Sequence, residues 1–421
     1  MTQSYKAPKG THDLLGESAR GWDFLQETAR KIFTRYGYES IYTPIFEQTE
    51  VFARGIGEAT DVVGKEMYSF KDRGGRSLTL RPENTAGVVR AAIQANLTAN
   101  EASSKLFYFG PMFRYERPQK GRQRQFYQVG AEALGLTSPL ADAEMIMMLW
   151  EYFIALGLKP RSMRLLLNSM GDRNCRPAYR ESVAAFIRDR AENLCEDCVR
   201  RADTNPLRAF DCKKESCRTV MDDAPRMQDA LCEDCGTHND AVLKALDAAG
   251  LKYEIDSKLV RGLDYYTRTV FEIQVDEGLG SQNAIGGGGR YDGLFQDLGG
   301  KETPSIGFAV GAERILLTLE AAGVDFEKDD KKVIYVAAAG DSQREAALNM
   351  AMELRGRGLI VLCDLQDRSL KSQFKQADKS NAAYVLIIGE EEQKRGGVTI
   401  RNMETKEERF VTLGSIFKML T

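Results

Sequence analysis

The sequence predicts an α+β fold: a largely antiparallel sheet domain interrupted by a mainly helical insertion, then a small α/β domain at the C-terminal end. Three patterns predict it. Strand-like runs joined by turn residues dominate the region from 67 to 134. The stretch from about 172 to 238 is rich in Arg, Asp and Cys and poor in strand signals. Beyond residue 332, apolar β-rich runs alternate with helical patterns.

Taken in order, residues 17–36 carry the apolar spacing of a helix, and Gly37 follows as a C-terminal cap. MYSF and SLTLRP flank KDRGGR, which reads as a hairpin with Gly74 and Gly75 at the turn. KLFYFGPMFRYE and QFYQVGAEAL form a second strand pair across a basic loop. Residues 141–156 are apolar nearly all round, the pattern of a buried helix. A shorter helix is predicted over 239–249, with Asn239 as its N-cap and Gly250 beyond its end. The charged segment GVDFEKDDKK reads as a linker. After it come VIYVAA, a helix over 342–355, LIVLCD, a helix over 369–379 and YVLIIG, three βα units of a parallel sheet. VTIRNM and ERFVTL add a terminal hairpin. The expected domains are therefore 1–325, with an insertion at 172–240, a linker at 326–332 and a last domain at 333–421.

A chain of 421 residues with 43% hydrophobic content can bury a large core and fold unaided. The N-terminal segment lacks an apolar signal core, and Glu151 breaks the greasiest stretch, 145–158, so the expectation is a cytoplasmic protein that neither crosses nor binds a membrane. In a reducing compartment, 8 cysteines point to metal ligation, redox work or packing rather than disulfides. Net charge is -3, so a nucleic-acid partner must be met by a local basic patch. Arg114, Arg117, Lys120, Arg122 and Arg124, with Glu116 as the one acid among them, supply such a patch; a solvated surface loop is the alternative.

The chemistry has to come from arginine. The 2 histidines, His12 and His238, stand in unpromising company for a His-based catalyst. Guanidinium groups in FRYERPQKGRQRQFYQ and LVRGLDYYTRTVFE suit phosphate and carboxylate, and phosphoryl or nucleotidyl chemistry needs mainly positioning and charge neutralisation. No GxxxxGK[ST] loop is present, which excludes P-loop binding. The run Gly286 to Gly289, followed by RYDGL, reads as a place where backbone approaches a ligand closely, against the commoner reading as a flexible turn.

These residues resemble a family. TPIFE, FRYE and GFAVGAERILL are similar to motifs 1, 2 and 3 of class II aminoacyl-tRNA synthetases, in order and suitably separated. RPENTAG, ERPQKGRQRQFYQ, LVRGLDYY and GGGGRYDGL resemble the signatures of histidyl-tRNA synthetases of the bacterial type. The likeness covers essentially the whole chain, and its tail resembles the class IIa anticodon-binding domain. It implies a histidine–tRNA ligase that uses ATP with Mg²⁺, acts on L-histidine and tRNA(His), and is a homodimer through the motif 1 region. The competing expectation is a non-catalytic paralogue serving as a regulatory subunit of ATP phosphoribosyltransferase. That paralogue lacks the last domain and signature residues retained here.

By position, the resemblance implies that Arg114 and Arg261 are the catalytic pair, facing each other across the α-phosphate and also reaching the histidine carboxylate. Arg114, Glu116, Phe126 and Arg314 hold ATP, with Phe126 stacked on adenine and Arg314 on the γ-phosphate. For histidine, Glu83, Thr85 and Gln128, with Asn84 between the first two, meet the α-ammonium; Glu132 and Tyr266 meet the ring nitrogens; Tyr265 and Tyr291 wall the pocket. As a bare pattern, Tyr265 and Tyr266 read equally as a core pair, and adjacent residues of one strand cannot share a face, with Tyr266 given the greater weight. Arg117, Gln119 and Arg122 are the expected acceptor-stem contacts, and Arg355, Arg357, Arg368, Lys371 and Lys375 the expected anticodon contacts, with a solvated face as the alternative for each. The chain departs from family wording at Asn84, where glycine is common, and at Tyr115 and Tyr127, where histidines are common.

Cys195, Cys198, Cys212, Cys217, Cys232 and Cys235 have the paired spacing of structural zinc ligands. Six thiols exceed one tetrahedral ion, and the resemblance does not decide between Zn²⁺ and buried free thiols.

Overall fold

The structure, a computed structural model, describes residues 5–420 except 58, 59, 61, 211, 261, 277, 278, 280–282 and 325–331. Two compact units emerge, Met1–Glu327 and Lys328–Thr421. The strands of the first are β1 (Glu39–Ser40), β2 (Phe46–Gln48), β3 (Tyr68–Lys71), β4 (Ser77–Leu80), β5 (Ser104–Phe113), β6 (Gln125–Leu134), β7 (Met163–Ser169), β8 (Glu254–Ile255), β9 (Thr267–Val275), β10 (Ala284–Arg290) and β11 (Ser305–Gly311). β2, β4 and β3 make a small antiparallel sheet, and the other eight form one sheet in the order β1-β5-β6-β11-β10-β9-β7-β8. Only the two-residue edge strands pair in parallel, β1 with β5 and β8 with β7. Among the described residues, the helices are α1 (Glu17–Arg35), α2 (Thr49–Ile56), α3 (Thr85–Ala95), α4 (Pro139–Ala155), α5 (Arg176–Asp189), α6 (Glu196–Thr204), α7 (Glu215–Met221), α8 (Glu233–Ala248), α9 (Leu294–Asp297) and α10 (Ala312–Ala321).

The period-2 alternation of the central strands gives the large sheet two unlike faces. Val129, Ala131 and Ala133 of β6, Ile306, Phe308 and Val310 of β11, and Phe271 and Ile273 of β9 point to one side, where Leu25 and Phe33 of α1 and Met145, Leu149 and Tyr152 of α4 cover them. Each such large side chain taken from water contributes about 1.5–3 kcal/mol. α4 is the all-round apolar helix expected from sequence; Ser138 caps it by accepting from the Leu140 amide, and Pro139 opens its first turn.

A buried charge cluster ties this layer together. Asp142 of α4, 0% exposed, accepts from the guanidinium of Arg290, from Thr269 Oγ1 at 2.6 Å, and lies 2.8 Å from His238 Nε2. Arg290, 1% exposed, also donates to the Leu136 carbonyl at 2.8 Å. His238 therefore has partners that its sequence neighbours do not reveal, and its role is structural. The same segment corrects a helix start: α8 begins at Glu233, with Cys232 in the N-cap position, rather than after Asn239. Cys235 and His238 lie about a turn apart on its buried face, and Glu233 and Asp234 suit the positive end of the helix.

The glycine run in β10 is also crowded by its neighbours. A Cβ on Gly288 would overlap the Gly307 carbonyl, and one on Gly289 would lie 2.5 Å from the Thr269 carbonyl and 2.9 Å from Tyr266 Cδ1. Those residues are small because β9, β11 and Tyr266 crowd them.

The inserted region packs α5, α6 and α7 around Tyr179, Val183, Ile187, Cys198, Ala202, Cys217 and Met221. In the second unit, β12 (Val333–Ala338), β13 (Ile360–Cys363), β14 (Ala382–Ile388), β15 (Gly397–Asn402) and β16 (Glu408–Thr412) form a sheet ordered β13-β12-β14-β15-β16. The first three pair in parallel and the last two add the antiparallel hairpin. α11 (Arg344–Gly356) and α12 (Leu370–Lys379) are its crossovers.

Candidate active site

The second face of the large sheet is built for a ligand. Opposed residues of antiparallel strands share a face, so the register Glu132↔Gly307, Gly130↔Ala309 and Gln128↔Gly311 extends through Gly289↔Gly307 and Gly287↔Ala309. The floor is thus glycine and alanine over several strands. Phe126, Gln128 and Glu132, spaced by two or four along β6, stand on the same face of the strand as Gly130.

Glu132 is the centre of the polar set. It is fully buried; its Oε1 accepts from Thr85 Oγ1 at 2.8 Å and Tyr108 Oη at 3.4 Å, and its Oε2 from Tyr291 Oη at 2.5 Å. Burial pushes its carboxyl up to about 8, against the donors Tyr291 and Thr85 and with help from the nearby Glu83 charge. Tyr265 and Tyr266 are both buried, with ring centroids 4.6 Å apart, and Tyr265 meets Tyr291 edge-on at 5.6 Å. They precede β9 instead of alternating within it, so the face argument that favoured Tyr266 does not apply to this pair. Tyr291 donates to Glu132 as well as walling the site. Tyr108, which was not among the expected residues, crosses Gly130 to reach the carboxylate. The alternation of FYFG placed it on the glycine face, and that was the available signal.

Glu83 is buried and its carboxylate caps α3, accepting from the Thr85 amide at 2.6 Å and the Ala86 amide at 2.9 Å. Burial raises its pKa, opposed by those amides. Asn84 Oδ1 accepts from Thr43 Oγ1 at 2.5 Å and from Arg81 at 3.4 Å, which accounts for how this buried side chain is accommodated. Gln128 Oε1 is a buried acceptor with no partner among the described residues, the kind of orphan that a bound donor would satisfy.

The basic hairpin brings the nucleotide candidates together. Arg114 donates to the Pro82 carbonyl at 2.9 Å and lies over the Phe126 ring, 5.2 Å from its centroid. Glu116 pairs with Arg122 at 3.2 Å and is 4.0 Å from Arg114. Arg314 is largely buried below the hairpin tip: a Cβ on Gly121 would meet its Cγ at 3.5 Å, and burial lowers its pKa, the Arg122 charge adding to this. Gln119 and Arg122 exchange backbone hydrogen bonds at 3.0 and 2.9 Å, while Arg117 and the Gln119 side chain are exposed. Tyr115 lies under Arg124, 4.1 Å to its centroid, and Tyr127 packs against Trp22. Arg261, the expected second catalytic arginine, lies outside the described residues.

A cavity of about 610 Å³ lies beside the tip of this hairpin, lined by His12, Trp22, Lys120, Glu313 and Leu317. None of Glu132, Thr85 or Tyr291 borders it, so the roomy cavity and the polar site are separate places.

The cysteines fall into two groups. Cys195, Cys198, Cys212 and Cys217 form one; Cys232 and Cys235 belong to another with Asp172 and Cys175, two residues missing from the expected set. The six expected thiols are thus divided between two places. Of the expected tail contacts, Arg357 pairs with Glu353 at 2.6 Å and Arg368 with Asp364 at 3.2 Å, Arg355 donates to the Val361 carbonyl at 2.9 Å, and Lys371 and Lys375 are exposed.

The floor makes a sharp prediction. A Cβ on Gly307 would overlap Glu132 Oε2. Gly307→Ala should displace the carboxylate and reduce activity on the site's substrate by about 100-fold or more, a barrier increase of about 2.7 kcal/mol, with steady-state kinetics as the check; unchanged kinetics would refute the placement.

An antiparallel sheet with an arginine-bearing hairpin and a glycine-led helix start beside one polar pocket is the architecture of class II aminoacyl-tRNA synthetases. The comparisons narrow this. Residues 10–315 match the family model for histidyl-tRNA synthetase, and 332–421 that for the anticodon binding domain. The chain is 46% identical to the histidine–tRNA ligase of Halothermothrix orenii over 413 residues, covering 98% of each protein. It is 48% identical to that of Desulfatibacillum aliphaticivorans over 411 residues, 98% of this chain and 97% of the relative. An apo S. aureus histidyl-tRNA synthetase crystal structure superposes with a TM-score of 0.84 at 35% identity, covering 99% of this chain and 100% of that one. The chain belongs to the histidyl-tRNA synthetase family.

Proposed function

We propose that the chain is a histidine–tRNA ligase: it joins L-histidine to ATP as histidyl-adenylate, releasing pyrophosphate, and then transfers histidine to the 3′ end of tRNA(His). In the first step a histidine carboxylate oxygen attacks the α-phosphorus of Mg²⁺-bound ATP. Arg114, anchored through its Nε on the Pro82 carbonyl, keeps its outer nitrogens for the α-phosphate and the carboxylate, and the exposed part of Phe126 takes the adenine. Arg314 meets the γ-phosphate, and Arg261, assigned by the family resemblance alone, is the proposed second guanidinium for the α-phosphate, the added positive charge stabilising the pentacoordinate transition state. In the second step the terminal ribose hydroxyl of tRNA attacks the adenylate carbonyl and AMP leaves, with Arg117, Gln119 and Arg122 near the acceptor end.

The observation that carries this reading is the buried carboxylate of Glu132 among Thr85, Tyr108 and Tyr291. An imidazole N–H adds a further donor to it, which an apolar side chain cannot supply, so discrimination on the order of 10⁴ needs no editing site. The unpartnered Gln128 Oε1 supports reception of the α-ammonium together with Glu83. Thr85 spends its hydroxyl on Glu132 and acts through it.

The enzyme is a homodimer in this proposal. Tyr42, Ile45, Phe46 and Phe70 are large apolar residues left exposed around the motif 1 segment and its small sheet, 74%, 45%, 51% and 44%, a patch suited to a second copy. The last unit contacts the anticodon. Cys195, Cys198, Cys212 and Cys217 hold a structural Zn²⁺. No described helix is long and apolar enough to cross a membrane, and the enzyme is proposed to work in the cytoplasm.

A structure named for both an ATP phosphoribosyltransferase regulatory subunit and a histidyl-tRNA synthetase, from Bacillus halodurans, shares only the fold at 19% identity, TM-score 0.65. The regulatory reading has no observation in its favour. Charging decides between them: the chain, ATP, Mg²⁺ and labelled histidine should yield histidyl-tRNA with a tRNA(His) transcript, and absence of charging would overturn the ligase reading.

A further inference from the structure

We infer that Asp172, Cys175, Cys232 and Cys235 form a second zinc site, distinct from the four-cysteine site, that fastens the two ends of the insertion to each other beside the histidine pocket. The pentapeptide LCEDC occurs twice in the chain, at 194–198 and 231–235. Both copies fold alike: Cys195 is the N-cap of α6 with Cys198 in its first turn, and Cys232 is the N-cap of α8 with Cys235 in its first turn. Each copy thus delivers two sulfurs from one helix start, and each meets a different second pair. For α6 the partners are Cys212 and Cys217; for α8 they are Asp172 and Cys175.

The spacing fits a tetrahedral ion and not a disulfide. Zn–S bonds of about 2.3 Å at tetrahedral angles set sulfurs about 3.8 Å apart, and Zn–O of about 2.0–2.2 Å sets oxygen about 3.5–3.7 Å from sulfur. Cys175 Sγ and Cys235 Sγ are 3.9 Å apart; Asp172 Oδ1 is 3.7 Å from Cys175 Sγ and 3.8 Å from Cys232 Sγ. The first cluster shows the same distance, 3.9 Å between Cys195 and Cys212. The ligand atoms in each group lie within 4.8 Å of one another, and every cysteine is free of a disulfide. Three thiolates and a carboxylate are a donor set suited to Zn²⁺.

Second-site geometry links it to the chemistry. Asp172 and Cys175 follow directly on β7, where the chain enters the insertion, and Cys232 and Cys235 open α8, where it leaves. Asp172 Oδ2 lies 3.5 Å from Arg268, the Arg268 amide donates to the Gly171 carbonyl at 2.7 Å, and Arg176 Nη1 donates to the Tyr266 carbonyl at 2.7 Å. An ion here holds residues 171–176 against the segment that carries Tyr265 and Tyr266, making the four ligands positioning residues for the pocket.

The test is metal analysis of full-length protein purified without chelators, with Co²⁺ replacing Zn²⁺ as a spectroscopic check. Wild type should carry about two equivalents of zinc per chain. Cys235→Ser and Asp172→Ala should each retain about one, as should Cys198→Ser, and only the first two should raise the histidine KM, by several-fold. Chelator-stripped wild type should take up Co²⁺ in two steps with thiolate charge-transfer bands, which keeps the test open if a variant fails to fold. A wild type holding a single equivalent that vanishes in Cys198→Ser and survives Cys235→Ser would overturn the second site and leave the first intact. Two equivalents that survive Cys235→Ser would overturn it as well.

Discussion

Replacing Glu132 with Gln is expected to raise the histidine KM by about 10- to 100-fold, the 1.5–3 kcal/mol of a hydrogen bond to a charged group, while the KM for ATP changes little. The fold should survive, because Thr85, Tyr108 and Tyr291 present hydroxyls that rotate to donate or accept. What is lost is the charge: the amide oxygen still accepts from an imidazole N–H, but more weakly than a carboxylate and with no charge to set against an imidazolium. Burial holds the Glu132 carboxyl up at about 8 in the empty site, so histidine binding must draw it to the carboxylate form. The same residue makes unliganded stability depend on pH. Between the unfolded value near 4.5 and the folded value near 8, the folded chain keeps a proton that the unfolded chain has lost. Stability from this group is full below the unfolded value and is lost as pH rises through the folded one, with a slope of at most about 1.4 kcal/mol per pH unit. Denaturant midpoints measured from pH 5 to 8 should fall more steeply for wild type than for Glu132→Gln. Parallel curves, or an unaltered histidine KM, would contradict the assignment.

The second large effect is structural. Asp142→Ala should cost about 3–5 kcal/mol, the usual result of removing one partner from a buried ion pair. Arg290 would keep its charge at 1% exposure with the Leu136 and Ser138 carbonyls and Asp292 as partners, and His238 and Thr269 would lose the shared acceptor. Burial alone would raise the Asp142 pKa; His238 and Arg290 more than reverse this and hold it below the usual carboxylate value. Its contribution is present above the unfolded value and fades as pH falls through the lower folded one. Adding Arg290→Met to Asp142→Ala should recover part of the loss, since the stranded charge is gone. Urea denaturation of the two variants decides this, and a double variant weaker than the single would count against the ion pair as the source.

The sheet and its ligand face were largely legible in sequence, because both rest on local signals. The β5–β6 hairpin announced itself through two alternating runs around a basic loop, and α4 through its nearly all-round apolar surface. The Glu132, Tyr291 and Thr85 triad came through the family resemblance; composition and spacing alone would not have joined residues so far apart in the chain. What escaped was non-local or masked by misleading context. Asp142, Arg290 and His238 come from three elements, and no local pattern pairs them. Asp172 and Cys175 precede the conspicuous CxxC motifs, so six cysteines looked like one surplus cluster. The crowding of the β10 glycines by β9, β11 and Tyr266 was likewise invisible in the run itself, because those contacts come from other elements.

Histidine-dependent exchange of labelled pyrophosphate into ATP tests the central claim most directly, since it reports adenylate formation without tRNA. Across the twenty amino acids, exchange should appear with histidine alone and should fall sharply at limiting histidine in Glu132→Gln. Exchange with another amino acid, or none with histidine, would contradict the account.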